Sequence, residues 1–199
     1  IEMGDAPAQR NIEMEKLRKW LINLRFIIPD ILIVFDAKLD MDLKRWKEIH
    51  KMQCSDREAM AQLLWYYEEF RNLVIYRQNA YPIRRRFFSL FYPPLKSLFL
   101  DTPQIGGGLY IQHGFATMVA AKSIGENCWI NQQVTIGYNG QGEPPIIGDW
   151  VMITCGAKVL GNIQIGNHVT VAANAVVINS VQDNCTVGGI PAKVIKQSV

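Results

Sequence analysis

Two different spacings of apolar residues divide this chain near position 100. In the first part, Leu17, Trp20, Leu21 and Leu24 recur three and four apart, with Lys16, Arg18, Lys19 and Arg25 between them. That spacing predicts an amphipathic helix over residues 10–27, which Pro29 is expected to end or kink. A second, shorter amphipathic helix is predicted from Asp40 to Met52. Ser55-Asp56-Arg57-Glu58 reads as a capping box, in which the serine hydroxyl accepts the third helical amide and the glutamate reaches back. The helix it opens is predicted to run from Ala59 to Arg77, with Leu63, Leu64, Tyr67, Phe70 and Leu73/Val74 along its apolar stripe. Arg84-Arg85-Arg86 and the aromatic run Phe87, Phe88, Phe91, Tyr92 follow, and Pro93-Pro94 closes the segment.

From Ile105 onward helical spacing disappears. Ile105 and Ile111 are six apart, as are Ile124, Ile130 and Ile136, and again Ile147, Ile153, Val159, Ile165, Val171 and Val177. A second row of small or aliphatic residues lies two positions earlier, at Val134, Val151, Ala157, Ile163, Val169 and Ala175. A period of six fits neither a helix nor simple alternation. It fits a short strand plus a turn, three of which close one triangular coil, so that equivalent aliphatics stack into columns. Gly, Asn and Asp at the turns tolerate left-handed backbone angles. The predicted fold class is therefore α+β: an α-helical N-terminal region over residues 1–100, then a left-handed parallel β-helix over residues 101–199.

One step breaks the rule. From Ile136 to Ile147 the spacing is eleven, so Gly137-Tyr-Asn-Gly-Gln-Gly-Glu-Pro-Pro145 carries five extra residues and must leave the solenoid as a loop over 138–145. Such a loop is a usual seat of function, or else a tolerated insertion.

Charge sharpens the division. Residues 1–100 hold 17 of the 21 Lys+Arg and 13 of the 18 Asp+Glu, against 4 and 5 in residues 101–199. A net charge of +3 gives no case for nucleic acid. Cys54, Cys128, Cys155 and Cys185 form no CxxC pair and lie near no histidine at ligand spacing, so reduced thiols in a cytoplasmic protein are expected, with no metal. The apolar stretch Leu21 to Phe35 is interrupted by Arg25, Pro29 and Asp30 and is too short to span a bilayer. Arg84-Arg85-Arg86 with its aromatics fits a segment docking the helices to the first coil better than a membrane-surface helix.

Three stretches carry a resemblance: Gln132-Gln-Val-Thr-Ile-Gly137 with the loop after it, Ile153-Thr-Cys-Gly-Ala-Lys-Val-Leu-Gly-Asn162, and Gly188-Gly-Ile-Pro-Ala-Lys-Val194. Over residues 103–196 the chain resembles the serine acetyltransferase branch of the hexapeptide-repeat acyltransferases. The resemblance is weaker over the helices, where Phe70-Arg71 and Tyr76-Arg77 carry it. It implies a homotrimer, with a hexamer possible, acetyl-CoA lying between neighbouring β-helices, a place in cysteine biosynthesis, and a histidine base. Matching positions put Gly137, Tyr138, Cys155, Gly156, Ala173 and Lys193 along the acetyl-CoA groove.

Gln112-His113 stands where that family has an acid-histidine pair. Transfer to an alcohol needs a base that takes the hydroxyl proton as oxygen attacks the thioester, and imidazole suits this near neutral pH. His50, in a charged helix, and His168, at a polar turn, are expected to be solvated. The chain departs from the serine-specific members twice. Gln112 replaces the acid, and Pro144 stands where they carry a second histidine. Glu143 in the loop is expected to return a carboxylate, from a neighbouring subunit. Cys155 is the one candidate for a covalent acetyl carrier, and the solenoid pattern already explains it, so direct transfer is expected. The sequence thus reads as an acetyl-CoA-dependent O-acetyltransferase acting on L-serine. A sugar hydroxyl in cell-surface polysaccharide synthesis, an amino-sugar amine, and an inactive trimeric scaffold remain as alternatives. The chain opens on Ile1 rather than Met, so its true start is expected to be missing or altered, and with Val199 soon after Lys193 the tail that the resemblance implies for docking the next enzyme of cysteine synthesis is expected to be absent.

Overall fold

The computed structural model describes residues 27–140 and 142–197. The helix expected over 10–27 lies, except for its last residue, outside them. Pro29 does not end the helical conformation: residues 27–32 are helical, and the Ile33 amide bonds the Pro29 carbonyl at 2.9 Å. Proline lacks its own N–H but can still accept from the turn that follows it.

Helix α1 spans Ala37–Ile49, three residues earlier at each end than expected. Its N-cap Asp36 accepts the Leu39 amide, and Leu39, Asp42, Leu43 and Trp46 form the buried stripe. The capping box opens α2 (Asp56–Tyr66) as predicted, with both reciprocal bonds made. The long helix expected through Arg77 is instead two. Tyr67 adopts an extended backbone (φ −120°, ψ 104°), and α3 resumes over Glu68–Arg77. The break turns the Tyr67 hydroxyl to His50 at 3.1 Å and lets Phe70 lie against Trp46, ring centroids 5.0 Å apart. Helix α4 (Pro82–Phe91) begins on proline, whose missing amide costs nothing in a first turn. It buries Phe88 and leaves Ile83, Phe87, Leu90 and Phe91 exposed.

The rest is a β-solenoid with three faces. The first face stacks β1 (Leu98–Leu100), β3 (Thr117–Val119), β6 (Thr135–Gly137), β9 (Lys158–Leu160) and β12 (Val176–Val177). The second stacks β4 (Ser123–Ile124), β7 (Ile146–Ile147) and β10 (Gln164–Ile165), extended by bridges from Ile105 and Val181. The third stacks β2 (Tyr110–Gln112), β5 (Trp129–Asn131), β8 (Met152–Ile153), β11 (Thr170–Val171) and β13 (Cys185–Gly189). All these pairs are parallel, and an antiparallel β14 (Ala192–Gln197) closes the third face.

The period-six aliphatics divide among the faces as a triangular coil requires. Ile105, Ile124, Ile147 and Ile165 line the second face; Ile111, Ile130, Ile153 and Val171 the third; Ile136, Val159 and Val177 the first. All are buried. Val119, opposite Ile136, completes the first column and falls outside the repeat, because the step from Ile111 to Val119 is eight residues. In the second row, Ile163 is only half-buried.

At the corner between the second and third faces, Gly106, Gly125, Gly148 and Gly166 each lie against the next coil. A Cβ on Gly125 would come within 2.6 Å of the Gly148 carbonyl. Asp149, Asn167 and Asp183 add a ladder there, each side-chain oxygen accepting an amide of the preceding coil at 2.7–2.8 Å.

One buried ion pair joins helices to solenoid. Arg77 donates to both carboxylate oxygens of Asp42 (2.8 and 3.1 Å) and to the carbonyls of Ile105 (2.7 Å) and Gly106 (2.6 Å), and Asp42 also accepts the Leu109 amide. Trp46 adds an indole bond to the Leu109 carbonyl at 2.9 Å. Among the described residues no helix is long and apolar enough to cross a membrane.

Candidate active site

His113 occupies the corner where the chain passes from β2 on the third face to β3 on the first. Residues 113–116 make this corner longer than the regular turns. His113 and Ala116 both hold left-handed backbone angles (φ 53° and 50°), unfavourable for residues with a Cβ. The Phe115 amide bonds the His113 carbonyl at 2.5 Å, and the His113 side chain is exposed.

Later coils stack under this corner. The Gln133 amide bonds the Phe115 carbonyl (2.9 Å), the Gly156 amide bonds Gln132 (3.0 Å), and the Asn174 amide bonds Cys155 (2.9 Å). His113, Cys155, Gly156 and Ala173 therefore lie along one edge of the prism. Lys193 pairs with Gly188, whose Cβ would meet Ala172, and so belongs to the far end of the same edge. Gly156 holds φ +72°, and a Cβ there would collide with the Asn174 side chain. Backbone angle and packing thus both favour glycine there, independently of any ligand.

Gly137, Tyr138 and Glu143 lie elsewhere. They form the corner between the first and second faces, across β3 and β6 from His113. Three strand residues at about 3.3 Å each put that separation at about 10 Å or more. Within one chain, Glu143 faces Lys122 at 3.5 Å, with both side chains exposed, and does not meet His113. A Cβ on Gly137 would meet nothing within 4 Å, so this chain's own packing does not demand glycine there.

Gln112 is fixed from the next coil. Its Oε1 accepts from Trp129 Nε1 and from Asn131 Nδ2, each at 3.3 Å. An indole nitrogen only donates, so this contact sets the amide's orientation and leaves Nε2 as a donor. Two buried acceptors beside it, Asn131 Oδ1 and Gln132 Oε1, have no hydrogen-bond partner. A buried carbonyl oxygen without a donor is costly. Among the described residues no cluster of His, Cys, Asp and Glu could hold a metal ion.

His50 differs from its expectation. It is not solvated but caps α1 between two hydroxyls, Tyr67 on Nδ1 (3.1 Å) and Tyr110 on Nε2 (3.3 Å), and stacks on Trp46. Burial lowers its pKa. Tyr110 in turn packs edge-on against Trp129, ring centroids 4.6 Å apart, which links the helices to the indole that holds Gln112. His168 is exposed and stacks on Trp150. The four cysteines are free thiols, and burial pushes Cys128 up to about 12. Glu69 on α3, which sequence reasoning passed over, accepts the Gly114 amide at 3.1 Å. Its charge at the start of a helix gave no hint of that contact.

No family model matches the chain. A serine acetyltransferase of Staphylococcus xylosus is 47% identical over 98 residues, which are 47% of this chain and 45% of that protein. The match therefore spans a little under half the length of that curated relative. The crystal structure of Neisseria gonorrhoeae serine acetyltransferase in complex with serine superposes at a TM-score of 0.60 with 27% identity, covering 79% of this chain and 67% of that one. A serine acetyltransferase in complex with CoA superposes at 0.59 with 26% identity, covering 79% and 68%. The fold is the left-handed β-helix seen in serine acetyltransferases, and the solenoid is similar in sequence to those enzymes over 98 residues.

Proposed function

We propose that this chain is an acetyl-CoA-dependent O-acetyltransferase, with His113 as general base and the edge from Cys155 to Lys193 receiving the acyl donor. The supporting observation is that His113, Cys155, Gly156 and Ala173 share one edge of the solenoid, with the exposed Lys193 at its far end. The ammonium of Lys193 suits a CoA phosphate. The imidazole of His113 takes the acceptor's hydroxyl proton as that oxygen attacks the thioester carbonyl. The tetrahedral adduct then expels the CoA sulfur, which receives the proton back from His113. Products are an acetate ester and free CoA thiol, with no covalent enzyme intermediate.

L-serine is the first acceptor in this reading, supported by similarity to serine acetyltransferases over the solenoid and by the relative crystallised with serine. That reading would put the chain in cysteine biosynthesis. One observation favours a second acceptor class. Gln112 presents an amide donor, which suits a hydroxyl or carbonyl oxygen better than an ammonium group, so a sugar hydroxyl is the alternative. The reading also includes a homotrimer acting in the cytoplasm. The loop at 138–145 and His113 lie at opposite ends of the first face, and a second copy packed against that edge would bring Glu143 and Tyr138 to His113.

Thiol release from acetyl-CoA, measured with serine, galactoside and amino-sugar acceptors, separates these readings. The H113A variant should lose about 100-fold or more in turnover, the usual worth of a positioned base. Full activity of H113A with a good acceptor would overturn the mechanism, and no release with any acceptor would favour a scaffold. E143A should raise the acceptor KM or lower turnover; unchanged values for both would remove Glu143 from the site.

A further inference from the structure

The His113 corner is a longer turn than the solenoid repeat dictates, and its backbone is unfavourable at both His113 and Ala116. Regular corners are held by the coil that follows, as where the Gly156 amide bonds Gln132 and the Asn174 amide bonds Cys155. This one is also held from outside the solenoid. Glu69, in the first turn of α3, places Oε1 3.1 Å from the Gly114 nitrogen, the amide directly after His113. Gly114 is buried and closely surrounded. A Cβ there would lie 2.9 Å from Leu98 Cδ2 and 3.1 Å from both Glu69 Cγ and Ile111 Cγ2. The turn is thus pressed against the Glu69 side chain as well as bonded to it. Neighbouring Glu68 points to Arg71 at 3.8 Å instead, so the two carboxylates of this helical turn have different tasks. Glu69 itself is fixed because Phe70 is buried against Trp46 and Arg71 donates to the carbonyls of Leu64, Trp65 and Pro93.

We propose that Glu69 is the positioning residue of the site: its carboxylate holds the Gly114 amide and so fixes the backbone from which the His113 imidazole projects. This rests on reading His113 as the base. A displacement of about 1 Å at a reacting group can cost on the order of 100-fold in rate, so a single anchor of this kind has a measurable effect. Glutamine at position 69 offers a carbonyl oxygen at the same reach and can accept the same amide proton. Alanine cannot.

Two measurements on the full chain test this. In E69A, turnover in the thiol-release assay should fall about 30- to 100-fold with the acetyl-CoA KM within about twofold, while E69Q should recover most of the loss. Hydrogen exchange at the Gly114 amide should quicken about tenfold or more in E69A and stay near the wild-type rate in E69Q, with thermal melting confirming that both variants are folded. Unchanged Gly114 exchange in a folded E69A would overturn the proposal, as would undiminished turnover of E69A when H113A is inactive. If H113A keeps full activity, the catalytic reading fails instead, and the exchange data still decide whether Glu69 anchors the turn.

Discussion

Replacing Arg77 by methionine removes a buried guanidinium that ties the helices to the first coil. In the folded chain Arg77 and Asp42 are 3% and 0% exposed, so water cannot substitute for either partner. The substitution takes four donor contacts away at once: two from Asp42, one from the Ile105 carbonyl and one from the Gly106 carbonyl. Asp42 would keep the Leu109 amide and no cation. Breaking a buried pair from one side costs about 3–5 kcal/mol, because the remaining charge stays buried and unpaired. Methionine packing recovers part of the apolar contact, so about 4 kcal/mol is expected, against a total of roughly 5–15 kcal/mol for a domain. R77K should lose about 2 kcal/mol, since one ammonium cannot reach a carboxylate and two carbonyls in a fixed fork. D42L/R77M removes both charges and should be at least about 1.5 kcal/mol more stable than R77M, with the orphaned carbonyls accounting for the remaining deficit. Urea unfolding followed by tryptophan fluorescence and by circular dichroism measures all three. A loss below about 1 kcal/mol in R77M, or no recovery in the double variant, would show that the pair does not clamp the two parts.

Other outcomes follow from the same structure. Burial lowers the His50 pKa below its unfolded value, so the fold binds fewer protons than the unfolded chain there. Stability should be fully present above the ordinary histidine pKa and decline as pH falls through that value toward the folded one; H50Q should flatten the decline in unfolding curves taken between pH 7.5 and about 5. G125A must push a methyl into the Gly148 backbone and should cost about 1–3 kcal/mol by thermal melting. G137A meets open space and should change stability by less than about 0.5 kcal/mol. If the loop corner takes part in binding acetyl-CoA, G137A should still raise the acetyl-CoA KM.

The solenoid was legible because its physics is local and repeated. One aliphatic every six residues is the visible trace of three stacked columns, and the eleven-residue step marked the loop. The first coil was legible only in part. The His113 corner is enlarged, so Val119 falls out of phase and its column cannot be seen until the strands are paired. The break at Tyr67 has no glycine or proline to announce it; long-range bonds from its hydroxyl to His50 and from Arg71 to Pro93 fix it. His113 was nominated by the chemistry of its side chain. Glu69 and the tyrosines around His50 were not, because their partners lie far off in sequence: 45 residues for Glu69 and Gly114, 60 for Tyr110 and His50, and 17 for Tyr67 and His50 across a helix break. Nor could spacing tell that the nominated residues divide between two corners, since both corners recur with the same period.

The two ends of the stack have a consequence beyond a single molecule. An unfinished parallel coil is a template on which an identical chain could continue, as in a growing fibre. At one end the helices lie over the first coil, fastened by Arg77, Asp42 and Trp46. At the other end β14 reverses direction against β13, and its exposed Lys193 and Lys196 put charge on the outermost strand of the third face. A newcomer arriving in register finds a strand of the wrong polarity there. Among the described residues, then, neither end of the stack offers an incoming copy a bare parallel coil of matching polarity.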